Sequence, residues 1–492
     1  MKAIYFSHVW PKLNVSAASV RTVGIIESLQ KAKTKITFIS PAKKSKMEVS
    51  DIVKYDFLTA VHCDPNDAVR VNKSFEKMGE SPDIAIFDTF VAEEMYSHHV
   101  AREFPNCIRI VDNQDFHSLR NHRMKILTQQ LENKKLLPVV KNESLWEQQV
   151  LSEVLKAKPS PYDDELCARE LASYLRSDLV LTCSEYEQLL LKNHFGVNSE
   201  LVTFFYPSDF KEPLNLEDPE EKEHKEYGFH QRKNFVWLGN YQHPPNLDSV
   251  NYILQHVWPL IRQEIPHAEL HLYGANCPES ISAGQIEGVK AKGQMSSLRR
   301  LRKYRAMLAP LRFGAGIKGK ILDSWFYGTP VITTPIGAEG MFRRMLNGDD
   351  LYQKIDPKAK FYSELNQTLS GINENLSGYY QYTNDWLDQG KYLEFGGLCR
   401  GMSAEEIARD AIIMYKDREL WEKKVLIGRD TILDHMTFNK SHAVLQKHIA
   451  HHMSKMEEKR RTNQIQALLW SESLRSHEKL FKYLSLKKQL SE

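Results

Sequence analysis

A glycine-rich loop with two lysines, within residues 309–323, has the residue types and spacing that best fit ligand chemistry. The segment reads as a buried strand, a loop and the start of an amphipathic helix. In the loop, Gly314 and Gly316 let backbone amides come close to a ligand, and Lys318 and Lys320 supply two cations. The helix start adds unpaired N–H groups and the positive end of the helix dipole. Together these features predict a cradle for a diphosphate.

The loop differs from a P-loop, because its Gly-Lys pair is followed by Ile321 instead of Ser or Thr. Magnesium recruitment through such a hydroxyl is therefore not implied. The alternative interpretation is a glycine-rich turn with surface lysines. The cradle is favoured because the glycines and cations follow the C-terminal end of a strand, where open α/β sheets bind ligands.

Short apolar runs alternate with helical stretches along most of the chain. Before the loop, strands are predicted at residues 2–7, 35–40, 83–87, 108–112 and 178–182. Around the loop, strands are predicted at residues 235–238, 270–274, 288–291, 306–310 and 328–334. Asn246 is predicted to N-cap the helix after residues 235–238. This alternation is typical of doubly wound α/β domains with parallel sheets.

Composition suggests where the domains begin and end. Residues 1–207 form the first predicted domain, with a charged helical insertion at about 121–176. Residues 208–233 are polar and proline-punctuated, which favours a linker. Residues 234–440 form the second predicted domain, with an irregular insertion at about 350–392.

The C-terminal tail, residues 441–492, has helical spacing and ten Lys or Arg against five Asp or Glu. An amphipathic helix pair that packs on the body is the main interpretation. Contact with a membrane, a partner or RNA is the alternative.

Charge and cysteine usage exclude some classes of protein. The formal net charge of +3 gives no global signal for nucleic acid or membrane binding. The six cysteines have no paired spacing, which favours free thiols in a reducing compartment. No run approaches the ~20 apolar residues of a transmembrane helix, and no signal peptide is recognised. We therefore expect a cytoplasmic protein, soluble or at most peripheral to a membrane.

Several short motifs recur in a fixed order after the linker. They are Leu238-Gly239-Asn240, Leu272-Tyr273-Gly274, the loop at 314–323, Gly328-Thr329-Pro330-Val331 and Gly337-Ala338-Glu339-Gly340. Over residues 234–340 this order resembles the donor-binding half of a retaining GT-B glycosyltransferase of the group 1 or family 4 type. The N-terminal half resembles the family weakly, through Cys183-Ser184-Glu185. The resemblance implies two Rossmann-like α/β domains facing each other across a cleft, to which the tail adds a helical C-terminal extension.

The resemblance assigns donor contacts to particular residues. Asp323 and Ala315 hold the positions of the family's paired glutamates. Asp323 matches the glutamate that contacts the donor ribose. Ala315 has no carboxylate, so the usual contact to the sugar hydroxyls is missing or made differently. Lys318, and after it Lys320, are the cations expected to neutralise the diphosphate.

Further donor contacts follow from the same resemblance. Gly239 and Asn240, after the first strand of the second domain, are expected beside the phosphates. Gln294 and Met295 are expected near the nucleobase. Two roles remain open for Glu339, which either caps the adjacent helix or faces the sugar.

In the first domain, Asp115 and His117 follow the predicted strand at 108–112. The resemblance implies a His or Asp here that faces the acceptor. His117 would orient or deprotonate an acceptor hydroxyl, and Asp115 would hold its tautomer or act as the base itself. The alternative is a capped helix start with internal hydrogen bonds.

The sequence therefore predicts transfer of a sugar from a nucleotide diphosphate donor, such as a UDP- or GDP-sugar. It does not identify the acceptor among glycans, lipids, proteins and RNA. No cofactor is expected, and metal-independent transfer is expected because no Asp, Glu or His cluster has metal-ligand spacing. The resemblance adds retention at the anomeric carbon. The alternatives are a catalytically degenerate GT-B binding module and a nucleotide-sugar epimerase.

Overall fold

The chain folds into two compact units. The computed structural model describes the chain except for residues 14–15, 49, 77–78, 80, 137–142, 209–227, 285, 342, 345–392 and 490–492. The first unit comprises Met1–Ser118, Pro159–Asp209 and Leu433–Glu492. The second unit comprises Leu119–Lys158 and Phe210–Ile432. Most of the predicted linker and all of the predicted insertion at 350–392 lie outside the described residues.

The first unit is built on a seven-stranded parallel sheet in the order β3-β2-β1-β4-β5-β6-β7. Its strands are β1 (Lys2–Phe6), β2 (Lys35–Ser40), β3 (Leu58–His62), β4 (Ile84–Asp88), β5 (Ile108–Asn113), β6 (Leu179–Thr182) and β7 (Glu200–Leu201). The five strands predicted for this half are confirmed, whereas β3 and β7 were not predicted. In the interior strand β1, Ile4 pairs with Thr37 on one side and Ala85 on the other. Strands buried on both faces appear in sequence as continuous apolar runs, which is why the central strands were recognisable.

The second unit is built on a six-stranded parallel sheet in the order β10-β9-β8-β11-β12-β15. Its strands are β8 (Phe235–Leu238), β9 (Leu270–Tyr273), β10 (Val289–Ala291), β11 (Ala306–Ala309), β12 (Val331–Thr333) and β15 (Gly397–Leu398). A separate antiparallel pair is formed by β13 (Arg343–Arg344) and β14 (Leu393–Glu394). The strand order reverses between β8 and β11, and ligands of doubly wound sheets bind at such a reversal, beyond the carboxyl ends of the strands.

Helices connect the strands and cover the sheets. In chain order they are α1 (Ala17–Lys31), α2 (Lys44–Met47), α3 (Ala68–Glu76), α4 (Thr89–Glu103), α5 (His117–Leu136), α6 (Glu143–Lys156), α7 (Glu165–Arg176), α8 (Glu185–Phe195), α9 (Pro244–Tyr252), α10 (Trp258–Glu264), α11 (Glu279–Ser282), α12 (Gly319–Phe326), α13 (Pro335–Ala338), α14 (Ala404–Lys416), α15 (Arg418–His435), α16 (Phe438–Thr462) and α17 (Gln464–Gln489). Among the described residues, no helix is long and apolar enough to cross a bilayer.

Residues 119–158 belong to the second unit, although the sequence analysis assigned them to the first. The reason is an apolar cluster that α5 and α6 share with second-unit side chains. Its buried members are Leu127, Val150, Leu151, Val154, Leu155, Phe313, Ile336 and Met402. An apolar face indicates that a helix packs against other apolar side chains, but it does not indicate which domain supplies them.

The basic tail packs on the first unit, as its amphipathic pattern predicted. Leu445 and Ile449 of α16 are buried in the core of that unit. On α17, Trp470 donates a hydrogen bond of 2.9 Å to the carbonyl of Arg176. Arg460 pairs with the buried carboxylate of Asp178 at 2.5 Å. The helical C-terminal region is therefore part of the first unit's packed structure.

Candidate functional site

The loops at the carboxyl ends of β8 and β9 approach each other closely in the second unit. Gly239 follows β8, and its N–H donates to the carbonyl of Tyr273 at 3.0 Å. A Cβ on Gly274 would lie 1.8 Å from the carbonyl oxygen of Gly239, which no side chain permits. Glycine at position 274 therefore lets these two turns meet at the point where the strand order reverses.

The loop between β11 and α12, residues 311–318, is called the donor loop below. Gly316 adopts a φ of 63°, in the left-handed region that favours glycine. The ammonium of Lys318 donates a hydrogen bond of 2.6 Å to the carbonyl of Gly316, and the side chain is buried. The donor loop is thus folded around one of its own lysines. The helix that follows is anchored by buried Ile321, Leu322, Trp325 and Phe326.

Lys320, at the start of α12, lies against the turn that follows β8 (residues 239–243), which is called the β8 turn below. Its ammonium donates to the amide oxygen of Asn246 at 2.7 Å and lies 5.2 Å from the ring centroid of Trp237. A Cβ on Gly239 would lie 3.0 Å from this nitrogen. The side chain keeps some exposure, but protein atoms surround its charged end, and burial lowers the pKa of Lys320 to about 7. Within the described residues, no carboxylate forms an ion pair with Lys320.

Asn246 has a different role from the predicted helix cap. The prediction is wrong because α9 begins earlier, at Pro244, and prolines suit the first turn of a helix. The side chain of Asn246 instead donates to the carbonyl of Asn240 at 3.0 Å, while its oxygen accepts from Lys320. The amide oxygen of Asn240 accepts from the N–H of Gln242 and the side chain of Asn276, both at 3.0 Å. This network fixes the β8 turn around the ammonium.

The remaining predicted donor residues lie in the same unit. Asp323 is one turn into α12 and is partly exposed. Beyond β10, Gln294 is exposed whereas Met295 is buried. Their contacts with a ribose and a nucleobase stay predictions.

Glu339 forms a buried ion pair with Arg123 of α5. The two carboxylate oxygens accept from the guanidinium at 2.7 and 2.8 Å, and both side chains are almost fully buried. The adjacent helix α13 is capped by the hydroxyl of Thr334, which accepts from the N–H of Gly337 at 3.1 Å, and not by Glu339. Sequence reasoning missed Arg123, because nothing distinguishes it from other cations of a charged helical segment.

In the first unit, Asp115 and His117 form a contact of their own. The Nε2 atom of His117 lies 2.9 Å from the carboxylate of Asp115, and both side chains are about one fifth exposed, at 22%. The backbone N–H groups of His117 and Ser118 donate to the buried carboxylate of Glu170 at 2.8 and 2.7 Å. The segment is therefore a capped helix start that also presents a carboxylate–imidazole pair.

A buried carboxyl, Asp88, lies at the end of β4 in the same unit. It accepts hydrogen bonds of 2.5 Å from the hydroxyl of Ser7 and from the side-chain amide of Gln114. Burial raises the pKa of Asp88 to about 7. The sequence analysis did not single out Asp88, because its predicted strand ended one residue earlier. Through Gln114, this carboxyl supports the segment that carries Asp115.

Among the side chains that the structure describes, no three of His, Cys, Asp or Glu converge as metal ligands would. The residues of the predicted diphosphate cradle are lysines and glycines joined by an amide network.

Two doubly wound α/β units with parallel sheets, the second with a glycine–lysine loop at its strand-order reversal, have the architecture of GT-B glycosyltransferases. Sequence comparison agrees, because residues 232–370 match the family model described as "Glycosyl transferases group 1". This match covers the donor loop and the network around Lys320. The chain therefore carries a glycosyltransferase domain and is an enzyme of that class. A comparison with curated protein sequences gave no significant match.

Solved structures share the fold over nearly the whole chain. HepE from Anabaena in complex with UDP and glucose is 10% identical and covers 92% of this chain and 99% of its own, with a TM-score of 0.54. A mutant of S. aureus TarM, in complex with fondaparinux, α-GlcNAc-glycerol and UDP, is 8% identical and covers 91% and 99%, with a TM-score of 0.56. A glycosyltransferase from Rickettsia africae is 11% identical and covers 92% and 98%, with a TM-score of 0.53. At these identities the likeness establishes the GT-B fold alone.

Proposed function

We propose that this enzyme transfers a sugar from a UDP-sugar to an acceptor hydroxyl, without a metal ion and with retention at the anomeric carbon. The observation that carries the proposal is the environment of Lys320. Its ammonium is enclosed at the carboxyl edge of the sheet, its hydrogen-bond partner Asn246 is neutral, and no described carboxylate pairs with it.

A buried charge without a counter-ion is costly, and an anion that binds beside it removes that cost. A diphosphate would meet the ammonium beside the backbone of the β8 turn. Glycine at position 239 allows this close approach, because a Cβ there would lie 3.0 Å from the ammonium and 2.8 Å from Cγ of Asn246. When the sugar–phosphate bond breaks, negative charge grows on the leaving diphosphate. Lys320, Lys318 and the amides of the donor loop would stabilise that charge.

The other donor residues take roles around this cation. Gly314 and Gly316 would allow the donor-loop backbone to approach the phosphates, and Gly239 and Asn240 would line their other side. Asp323 would hold the ribose hydroxyls. At the far end of the donor, Gln294 and Met295 would contact the base. Glu339, held by Arg123, would border the sugar.

The choice of UDP is supported by relatives in fold. The Anabaena protein has been solved with UDP-glucose, and the S. aureus protein with UDP. The lysine-based cradle supports the proposal of metal independence, and the resemblance to family 4 supports that of retention. Chelator-treated enzyme should keep its activity, and the anomeric configuration of the first product, read by NMR, tests retention.

For the acceptor side we propose His117 and Asp115. A carboxylate 2.9 Å from Nε2 orients the imidazole, so that the pair can hold or deprotonate an acceptor hydroxyl. The Asp115→Asn substitution should lower the rate of sugar transfer to the acceptor by roughly 100-fold or more, which is the typical size of a lost acid–base contribution. UDP affinity should be unchanged. Unchanged transfer in this variant would leave the pair with only its structural role at the start of α5.

Calorimetric titration with UDP, GDP and UDP-glucose is the first test of donor binding. We expect UDP to bind the wild type, and Lys320→Met and Lys318→Met to bind roughly 10- to 150-fold more weakly, since a charge-assisted contact contributes about 1.5–3 kcal/mol. The matched control is Lys416→Met. Lys416 is the last residue of α14, and its exposed ammonium pairs with Glu264 of α10 at 3.1 Å. Binding without turnover on any acceptor would point to a binding module, and release of UDP with an altered free sugar would point to an epimerase.

A further inference from the structure

We infer that Arg123 is a positioning residue of the donor site, which sets the backbone of the donor loop through the carbonyl of Gly314. The inference rests on the proposed function. It adds to the site a residue from α5, which lies outside the segment that matches the glycosyl transferase model.

Arg123 is fully buried and joins three parts of the second unit. Its Nη1 donates to the carbonyl of Gly314 at 2.8 Å and to Glu339 at 2.7 Å. Its Nη2 donates to the other oxygen of Glu339 at 2.8 Å, and its Nε donates to the carbonyl of Val154 at 3.2 Å. One guanidinium therefore ties α6 and the residue after α13 to the donor loop.

The contact with Gly314 determines how the donor loop presents its amides. In a planar trans peptide, the carbonyl and the following N–H point in opposite directions. With the Gly314 carbonyl turned toward Arg123, the N–H of Ala315 faces the opposite side of the loop. Lys318 holds the Gly316 carbonyl in the same manner, at 2.6 Å. The carbonyls of Gly314 and Gly316 thus each accept a hydrogen bond from a cation of the protein. The orientation of the peptide N–H groups between them is set by these two contacts.

A lysine cannot replace this arginine, because only a guanidinium offers several donors in a rigid planar fork. Buried ion pairs seldom add net stability relative to packed apolar residues, since the cost of desolvating both charges offsets their attraction. The main consequence of the Arg123–Glu339 pair is therefore geometric.

Packing holds Arg123 in place. Leu127 and Val154 lie in the same apolar cluster as Phe313 of the donor loop and Ile336 of α13. A second polar anchor lies on the next helix, α6, where Glu147 accepts from the hydroxyl of Tyr252 at 2.6 Å and from the N–H of Ala404 at 3.3 Å. Burial raises the pKa of Glu147 to about 7. This second anchor holds α6 to the unit, and neither of its hydrogen bonds goes to the backbone of the donor loop. Its contact with the loop is through a side chain, because the guanidinium of Arg312 lies 4.5 Å from the ring centroid of Tyr252.

The test compares three variants for UDP affinity and for thermal stability. Arg123→Lys keeps the charge but loses the fork. The double variant Arg123→Met with Glu339→Met removes both charges together. It should fold, because no unpaired charge is left buried. Glu147→Gln loosens α6 at its polar anchor to Tyr252 and Ala404, and it is the matched control. UDP is the probe because it lacks the sugar, so any direct contact between Glu339 and the sugar does not enter.

We expect Arg123→Lys and the double variant to bind UDP roughly 10-fold more weakly than the wild type, as loss of a charge-assisted hydrogen bond implies. The double variant should keep a melting temperature close to that of the wild type, and Glu147→Gln should keep wild-type UDP affinity. The inference is overturned if the double variant binds UDP as tightly as the wild type. It is also overturned if Glu147→Gln loses as much affinity as Arg123→Lys, because the effect would then be general loosening. If the wild type itself binds no UDP, the proposed function fails, and that outcome is seen before any variant is compared.

Discussion

The ammonium of Lys320 donates a hydrogen bond of 2.7 Å to the side-chain amide of Asn246, and among the described residues no acid neutralises it. The side-chain amide of Asn246 also donates to the carbonyl of Asn240, so the same side chain contacts both the ammonium and the β8 turn. A buried ammonium without a counter-ion is costly, and an anion bound beside it would remove that cost. This relationship has consequences for pH dependence and for stability.

Affinity for UDP-glucose should fall as the pH rises above about 7. Burial lowers the pKa of Lys320 to about 7, and a bound diphosphate would raise it again. Binding would therefore take up a proton, and affinity would decrease by up to about tenfold per pH unit between the two pKa values. Calorimetry in buffers of different ionisation enthalpy measures this uptake. In Lys320→Met the pH dependence should disappear, and a flat profile for the wild type between about pH 7 and about pH 9 would contradict the assignment.

Lys320→Met should stabilise the unliganded enzyme while it weakens donor binding. The folded-state pKa of Lys320 is lowered, so the folded protein bears the cost of the buried charge fully below about pH 7 and loses that cost as the pH rises toward ~10.4, where a free lysine titrates. The gain should therefore be about 0.5–2 kcal/mol at pH 6 and should vanish at high pH. Chemical denaturation at several pH values measures it. A variant less stable than the wild type at low pH would show that the ammonium is already compensated.

Gly274→Ala should destabilise the second unit by about 3 kcal/mol, because overpacking against backbone cannot be relieved by a rotamer change. The added Cβ would lie 1.8 Å from the carbonyl oxygen of Gly239. Gly314→Ala is the matched control, since its Cβ would meet only Lys318, at an ordinary 3.6 Å. Thermal denaturation of both variants measures the difference. Equal melting temperatures would mean that the β8 and β9 turns can separate at little cost.

Breaking the ion pair between Arg21 and Asp112 should destabilise the first unit by about 3–5 kcal/mol, because the remaining charge is left buried. The guanidinium contacts the carboxylate at 2.6 Å, and both side chains are fully buried. Asp112→Asn is the test variant, with denaturant unfolding as the measurement. The exposed pair between Arg169 and Glu94 is the control, and Glu94→Gln should cost less than about 1 kcal/mol. Similar losses in the two variants would contradict the role assigned to burial.

Local patterns in the sequence determined the elements and the main features of the donor site. The strands of both sheets appear as apolar runs because buried parallel strands need apolar side chains on both faces. Gly314, Gly316, Lys318 and Lys320 stand together in one short segment, so their shared position at a strand end followed from spacing alone. The resemblance to glycosyltransferases rested on such local motifs.

Only the tertiary structure decided which distant side chains complete the site. Arg123 and Glu339 are separated by 216 positions, and their pairing leaves no periodic trace in the sequence. Asn246 is a residue type that often caps helices, yet the helix begins earlier, at a proline. The side-chain oxygen of Asn246 accepts a hydrogen bond from Lys320 instead. Residues 119–158 have an apolar face whose partner could not be read from the chain. Periodicity reports that a side chain is buried, whereas the identity of its partner depends on how the whole chain packs.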